Sequence, residues 1–297
     1  QVYLMNDIDL KDVAQWTPIG NGTFAATTAV STPSGAAFEG TFDGQGYALR
    51  NLKMEAALTG DNQAYGLFGV LKGATVKNLV LGAENGDTGS YKVSGNGVTS
   101  TGVIAGASVE STIEECTSYL PMECLGNGAS NKLMTMGLVG FVYGAGTSDE
   151  TVTKLIGLKN YGAMKAVPGA ANTNGFTSTQ AGCIAGVSNT SRTSTFRNLI
   201  TRCANYGDMT VSTGRASGIV AAANTFTVVS ECENHGDMLN TYGESGGGRL
   251  GNITCILGTS SVVDGCTNYG DIVATNAKTH AGGLVCLTNS AVSAGGN

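Results

Sequence analysis

Residues 203–208 read Cys-Ala-Asn-Tyr-Gly-Asp, and the phrase returns as Cys-Glu-Asn-His-Gly-Asp at 232–237 and Cys-Thr-Asn-Tyr-Gly-Asp at 266–271. A looser copy, LKNYGA, occupies 158–163. A second signal, Gly followed by an apolar pair, begins at 66, 102, 137, 182, 218, 251 and 283, with gaps of 36, 35, 45, 36, 33 and 32 residues. An aliphatic residue stands three before each Cys/Leu slot: Val76/Leu79, Ile113/Cys116, Leu155/Leu158, Ile200/Cys203, Val229/Cys232 and Val263/Cys266. The signals alternate strictly, so they belong to one repeating unit. A period of roughly 20–50 residues restricts a chain to a solenoid, a propeller or a similar array.

Each unit holds a short apolar strand, a link, a second strand ending in Asn-Tyr-Gly-Asp, and a variable stretch that opens on an apolar pulse such as DMTV or DIVA. Helical spacing of apolar residues is nearly absent. Propeller blades need four antiparallel strands and hairpin turns, which the unit fits less well. The expected fold is all-β: a right-handed parallel β-helix of about six to seven coils with three short strands per coil. Residues 1–297 then form one domain, with 1–81 as opening coils and 82–297 as repeated coils. The chain reads as a fragment of a longer surface protein.

In such a coil, residues one period apart stack at the strand spacing of about 4.8 Å. Cys203, Cys232 and Cys266 are expected to form an inward column of small, buried thiols rather than disulfides. Asn205, Asn234 and Asn268, two residues later on the same face, can form an amide ladder. Gly207, Gly236 and Gly270 are expected to supply a corner with positive φ. Leu158 and Ala163 mark a weaker copy. In CTSYLP at 116–121, Ser118 replaces the asparagine and Leu120–Pro121 replaces Gly-Asp, and any ladder is expected to be interrupted in both of these units.

The opening segments YLMNDIDL, WTPIG, FEGTFDGQGYALRNLKM and YGLFGVLKGATVKNLVL, with the later GLVG and CTNYGDI, resemble the GLUG-type repeat. That repeat occurs in large bacterial surface proteins, including adhesins and the non-catalytic parts of immunoglobulin-cleaving metallopeptidases. The resemblance spans essentially the whole chain. It implies a β-helix in a secreted or surface-anchored protein, with a role in adhesion or glycan contact and a surface glycan or host protein as partner.

Charge and motifs narrow the function further. Only 13% of residues are charged, the net charge is −6 and no basic patch appears in the sequence, which disfavours nucleic-acid binding. No apolar run reaches the roughly 18 residues of a membrane helix. The two histidines, His235 and His280, lie too far apart for the H-E-x-x-H pattern of a zinc peptidase. No phosphate loop occurs. The expectation is a protein without catalytic residues, cofactors or metals, located at the bacterial surface or outside the cell.

Several alternatives stay open. Asp208, Asp237 and Asp271 stack by repetition, so they can cap turns, hold calcium, or serve a polysaccharide-cleaving enzyme. Asp43 reads as an Asp-Gly turn residue, and Asp7 and Asp9 as the outward face of a first strand. Arg192, Arg197, Arg202, Arg215 and Arg249 read as solvated surface. Tyr206, His235 and Tyr269, extended by Tyr161 and Tyr119, should form an exposed aromatic column: either a platform for sugars or a packed corner. The variable segments 82–100, 120–135, 163–180 and 239–248 should emerge along one edge, with 163–179 the first choice for ligand contact. A passive spacer projecting another domain is a further reading. Open coil ends invite end-to-end contact with another domain or chain.

Overall fold

In a computed structural model, the described residues are 1–21, 36–86, 88–95, 97–126, 134–168, 179–191, 195–212, 214–241, 248–275 and 279–288. Most of the favoured 163–179 segment lies outside them. Among them the chain is all-β. Its one helical turn is a 3-10 segment, Asp149–Thr151. Among the described residues no helix is long and apolar enough to cross a membrane.

Strands stack into four sheets in which all the pairings are parallel, the arrangement of a β-helical or solenoid-like fold. The chain visits the sheets in a fixed order. An aliphatic sheet contains Thr112–Glu114, Lys154–Ile156, Asn198–Thr201 and Thr227–Ser230. It leads into a short asparagine sheet containing Thr117–Ser118, Lys159–Asn160, Ala204–Asn205 and Glu233–Asn234. A methionine sheet follows, with Met122–Gly126, Met164–Pro168, Met209–Val211 and Met238–Asn240. A long bent sheet, including Thr99–Val109 and Met134–Gly144, closes the turn.

Four strand positions per turn replace the three expected. The cause is a sharp corner between the aliphatic and asparagine strands. Asn78, Glu115, Gly157, Arg202, Glu231 and Gly265 all occupy it with φ between 50° and 63°. Each stands one residue before the Cys/Leu slot. A single left-handed residue turns the chain and splits what the sequence presents as one apolar segment.

The Gly–apolar signal marks the bend of the long sheet. A Cβ on Gly102 would collide with the Ala105 carbonyl, and one on Gly182 with the Ala185 carbonyl. Val103 and Ile104, or Cys183 and Ile184, then enter the core with no exposure. Inside the methionine sheet, Met54, Tyr91, Met122, Met164, Met209 and Met238 are consecutive register partners and all are buried. This column was invisible at the sequence level because the intervening loops vary in length.

Candidate functional site

The corner spelled Cys-x-Asn-Tyr-Gly-Asp combines three ladders. Its inward base is the slot filled by Leu79, Cys116, Leu158, Cys203, Cys232 and Cys266, all buried. All eight cysteines of the chain are free thiols. The Cys232 N–H reaches the Cys266 sulfur at 3.4 Å, and the Cys232 thiol donates to the Ile200 carbonyl of the preceding turn at 3.5 Å. Burial pushes the Cys116 and Cys124 thiols up to about 12. The Cys232 and Cys266 thiols are also raised, each chiefly by a hydrogen bond with its neighbouring cysteine. These are packing groups, not nucleophiles.

Two residues on, the side-chain amides form a continuous chain. Asn160 donates to Asn205 at 2.7 Å, Asn205 to Asn234 at 2.8 Å, and Asn234 to Asn268 at 2.9 Å. Each Nδ2 also donates to the carbonyl two residues ahead, that of Gly162, Gly207, Gly236 or Gly270, at 2.8–2.9 Å. The ladder thus runs through Asn160, which corrects the interruption expected in that unit: the departures at Leu158 and Ala163 do not touch the amide that carries it. It ends at Ser118, whose hydroxyl instead accepts the Leu120 N–H at 3.2 Å.

The role expected for Gly207, Gly236 and Gly270 is corrected: none has positive φ. A Cβ on Gly207 would fall on the carbonyl oxygen of Gly162, one on Gly236 on that of Gly207, and one on Gly270 on that of Gly236. Close approach of stacked backbones requires glycine here, while the left-handed corner lies five residues earlier.

Between the asparagine and the glycine, five rings stack in one file. Ring centroids are 5.0 Å apart for Tyr119–Tyr161, 4.6 Å for Tyr161–Tyr206, 4.7 Å for Tyr206–His235 and 4.5 Å for His235–Tyr269. Interplanar angles are 7–15°. Such spacing leaves no room for a sugar between rings. The file presents edges and phenol groups to solvent, with Tyr161, Tyr206 and Tyr269 exposed by 41%, 39% and 62%. Glu233 bonds His235 Nε2 at 3.0 Å. Burial raises the Tyr119 and Tyr206 phenols above their usual value.

The aspartates form the outer rail. Asp208 accepts the Asp237 N–H at 2.9 Å, and Asp237 accepts the Asp271 N–H at 2.8 Å. Each of these two carboxylates therefore caps the backbone of the following turn. Leu239 and Val273, register partners in the next strand, are exposed beside this rail. Among the described residues, no group of three or more His, Cys, Asp or Glu is placed to hold a metal ion.

The other candidates fall elsewhere. Asp43 accepts the Gln45 N–H at 2.9 Å in its turn, and Asp7 and Asp9 bind the backbone and side chains of 48–51. Among the described residues Arg202 reaches only Glu115, at 4.0 Å on the surface. Arg192 and residues 127–133, 169–178 and 242–247 of the variable segments lie outside the described residues.

Fold and corner together define a parallel β-solenoid-like protein with an exposed, ladder-built edge. The sequence matches no known family and no curated protein. The structure is similar to the crystal structure of a Bacteroides ovatus protein named there as a "putative immunoglobulin A1 protease", with a TM-score of 0.57 and 14% identity. The likeness covers 95% of this chain and 76% of that one. At that identity it is a likeness of fold.

Proposed function

We propose that this chain is a non-enzymatic, extracellular β-helical module through which a bacterial surface protein contacts a glycan or host protein. The observation that carries the reading is the five-ring file from Tyr119 to Tyr269, exposed along one edge and railed by Asp208, Asp237 and Asp271. Stacked Tyr and His rings at fixed spacing form a rigid surface, so a partner meets it with little ordering cost. The rings between Tyr119 and Tyr269 have both faces covered, so a sugar approaches the file by its edges or stacks on the outer face of a terminal ring, of which Tyr269 is the more exposed. The rail supplies acceptors for sugar hydroxyls.

The same reading includes right-handed winding through about six to seven coils, since parallel crossovers are right-handed in about 98% of cases. The name of the Bacteroides ovatus protein makes immunoglobulin A1 the first host protein to try as a partner.

The test is a glycan array and a mucin- and immunoglobulin-binding assay with wild type, Tyr269→Ala and Tyr206→Ala. Binding that Tyr269→Ala weakens most is expected. Blank results for wild type on all surfaces would remove the contact role. Cleavage of immunoglobulin or polysaccharide by the purified chain would replace it with an enzyme.

A further inference from the structure

A second column runs along the bent sheet, away from the aromatic file. Ser100, Thr135, Gln180, Arg215, Arg249 and His280 are successive register partners on adjacent strands. At one end it is sealed: Ser100 and Thr135 are fully buried and their hydroxyls bond at 2.7 Å. At the other end it opens to solvent, with Arg215 and Arg249 partly buried and His280 exposed. The opposite arm of the bend faces it. The Cys255 sulfur lies 3.2 Å from the Arg249 carbonyl oxygen, and the Cys286 sulfur 3.4 Å from that of His280.

Three observations make this stretch unlike the rest of the surface. Two arginines are register partners on adjacent strands of a chain of net charge −6. Among the described residues, no carboxylate pairs with either, whereas Arg50, Lys77, Lys92 and Lys165 all have acidic partners. Burial lowers the Arg215 pKa. Third, the Gln180 side-chain oxygen, on the strand beside Arg215, is only 7% exposed as a residue and has no hydrogen-bond partner. A partly buried cation pair without a counter-charge is costly, and so is a buried amide with an unmet oxygen. The expectation of solvated surface is therefore corrected for Arg215, which is partly buried and desolvated.

We propose that Gln180, Arg215, Arg249 and His280 line an oxyanion-binding groove that takes the sulfate or carboxylate groups of an acidic saccharide. Each guanidinium offers a planar fork of donors matched to two oxygens of such a group. Cations carried on successive strands, whose backbones lie about 4.8 Å apart, suit a ligand carrying more than one negative group, lying along the solenoid rather than across it. The groove is independent of the aromatic file and stands or falls without it.

The chain's two histidines make the test direct, because His280 lies in the groove and His235 in the aromatic file. Inorganic sulfate is titrated at constant ionic strength against chloride while the ring C–H resonances of both histidines are followed by NMR. A saturable shift of His280 with His235 unmoved is expected, weakened about tenfold or more in Arg249→Gln or Arg215→Gln. Removing one of two like charges relieves repulsion, and an unchanged His235 resonance certifies the fold of each variant. In a second arm, a sulfated or uronate-containing oligosaccharide replaces sulfate. Tighter binding than sulfate at His280 identifies the saccharide, and equal binding assigns the groove to the free anion. Parallel, unsaturated drift of both histidines, or titrations unaltered by both variants, overturns the groove. Saccharide-induced movement of His235 alone supports the aromatic file and overturns the groove, so the two readings fail separately.

Discussion

Asn160 sits in register beneath Ser118, and its buried Oδ1 has no hydrogen-bond partner. Every later asparagine carbonyl in the file is met by the Nδ2 of the turn before. Serine is too short to extend the chain of amides, so the ladder ends with one unmet acceptor. Replacing it completes the pattern: Ser118→Asn is expected to raise stability by about 1 kcal/mol through the added bond. Asn205→Ala should cost about 2–4 kcal/mol, because it strands the Asn160 donor and the Asn234 acceptor together. Denaturant midpoints for the two variants check both signs. A neutral Asn205→Ala would mean that water replaces the ladder.

Two kinds of glycine should respond differently to the same substitution. Gly236→Ala places a methyl on the backbone oxygen of Gly207, which cannot rotate away, and is expected to abolish soluble expression or cost more than about 4 kcal/mol. Gly73 has φ +56°, and a methyl added there would meet nothing within 4 Å, so Gly73→Ala should cost only about 1 kcal/mol of left-handed strain. The converse holds at the corner column. Glu231, at φ 53°, occupies the position that glycine fills at 157 and 265, so Glu231→Gly should be neutral or stabilising by up to about 1 kcal/mol. Thermal unfolding of the three variants orders them.

How far the sequence exposed this architecture depended on chemistry that repeats in kind. Cysteine, asparagine, aromatic and aspartate recur at fixed offsets within six residues, so their columns were legible from the letters alone. The left-handed corner was not, because asparagine, glutamate, arginine and glycine share it with no common side-chain property. Its mark is a backbone angle. The glycine after the ring was assigned the wrong cause, since a residue type reveals that a Cβ is excluded but not whether φ or a neighbouring carbonyl excludes it. Arg215 and Arg249 looked like ordinary surface because their isolation emerges only from cross-strand register. Their spacing of 34 residues hid them among turns whose lengths differ.

The opening turn is held by carboxylates, and this makes it acid-labile. The Ala48 N–H and then Arg50 hold the Asp7 carboxyl below its usual value. The Asn51 side chain and the Lys11 N–H do so for Asp9, and the Asn78 side chain and the Gln45 N–H for Asp43. A depressed folded pKa stabilises above the ordinary carboxylate value, near pH 4, and the gain disappears as pH falls through the folded values. Hydrogen-exchange protection at Leu4 and Leu10, which donate to the Asp43 and Arg50 carbonyls, should therefore collapse below about pH 4 before that of the buried sheets. Asp7→Asn should loosen the same segment at neutral pH. Simultaneous loss across the whole chain would contradict a local clamp.

Thiol chemistry should discriminate sharply among the eight cysteines. Seven are buried, and Cys286 alone is partly accessible. A hydrogen bond from Cys255, its register neighbour on the adjacent strand, brings the Cys286 thiol down to about 7, whereas burial holds Cys116 and Cys124 near 12. Alkylation needs the thiolate and an open path, and Cys286 alone offers both. Brief treatment of the native protein with iodoacetamide should thus label Cys286 first, with a rate that rises through pH 7 and levels above it. Full labelling of the others should require denaturant. In Cys255→Ser the hydroxyl still donates, so the midpoint should move little, while Cys255→Ala removes the donor and should shift it upward. Peptide mass spectrometry across pH resolves these cases, and labelling of Cys203, Cys232 or Cys266 at a comparable rate would show that the corner column opens on its own.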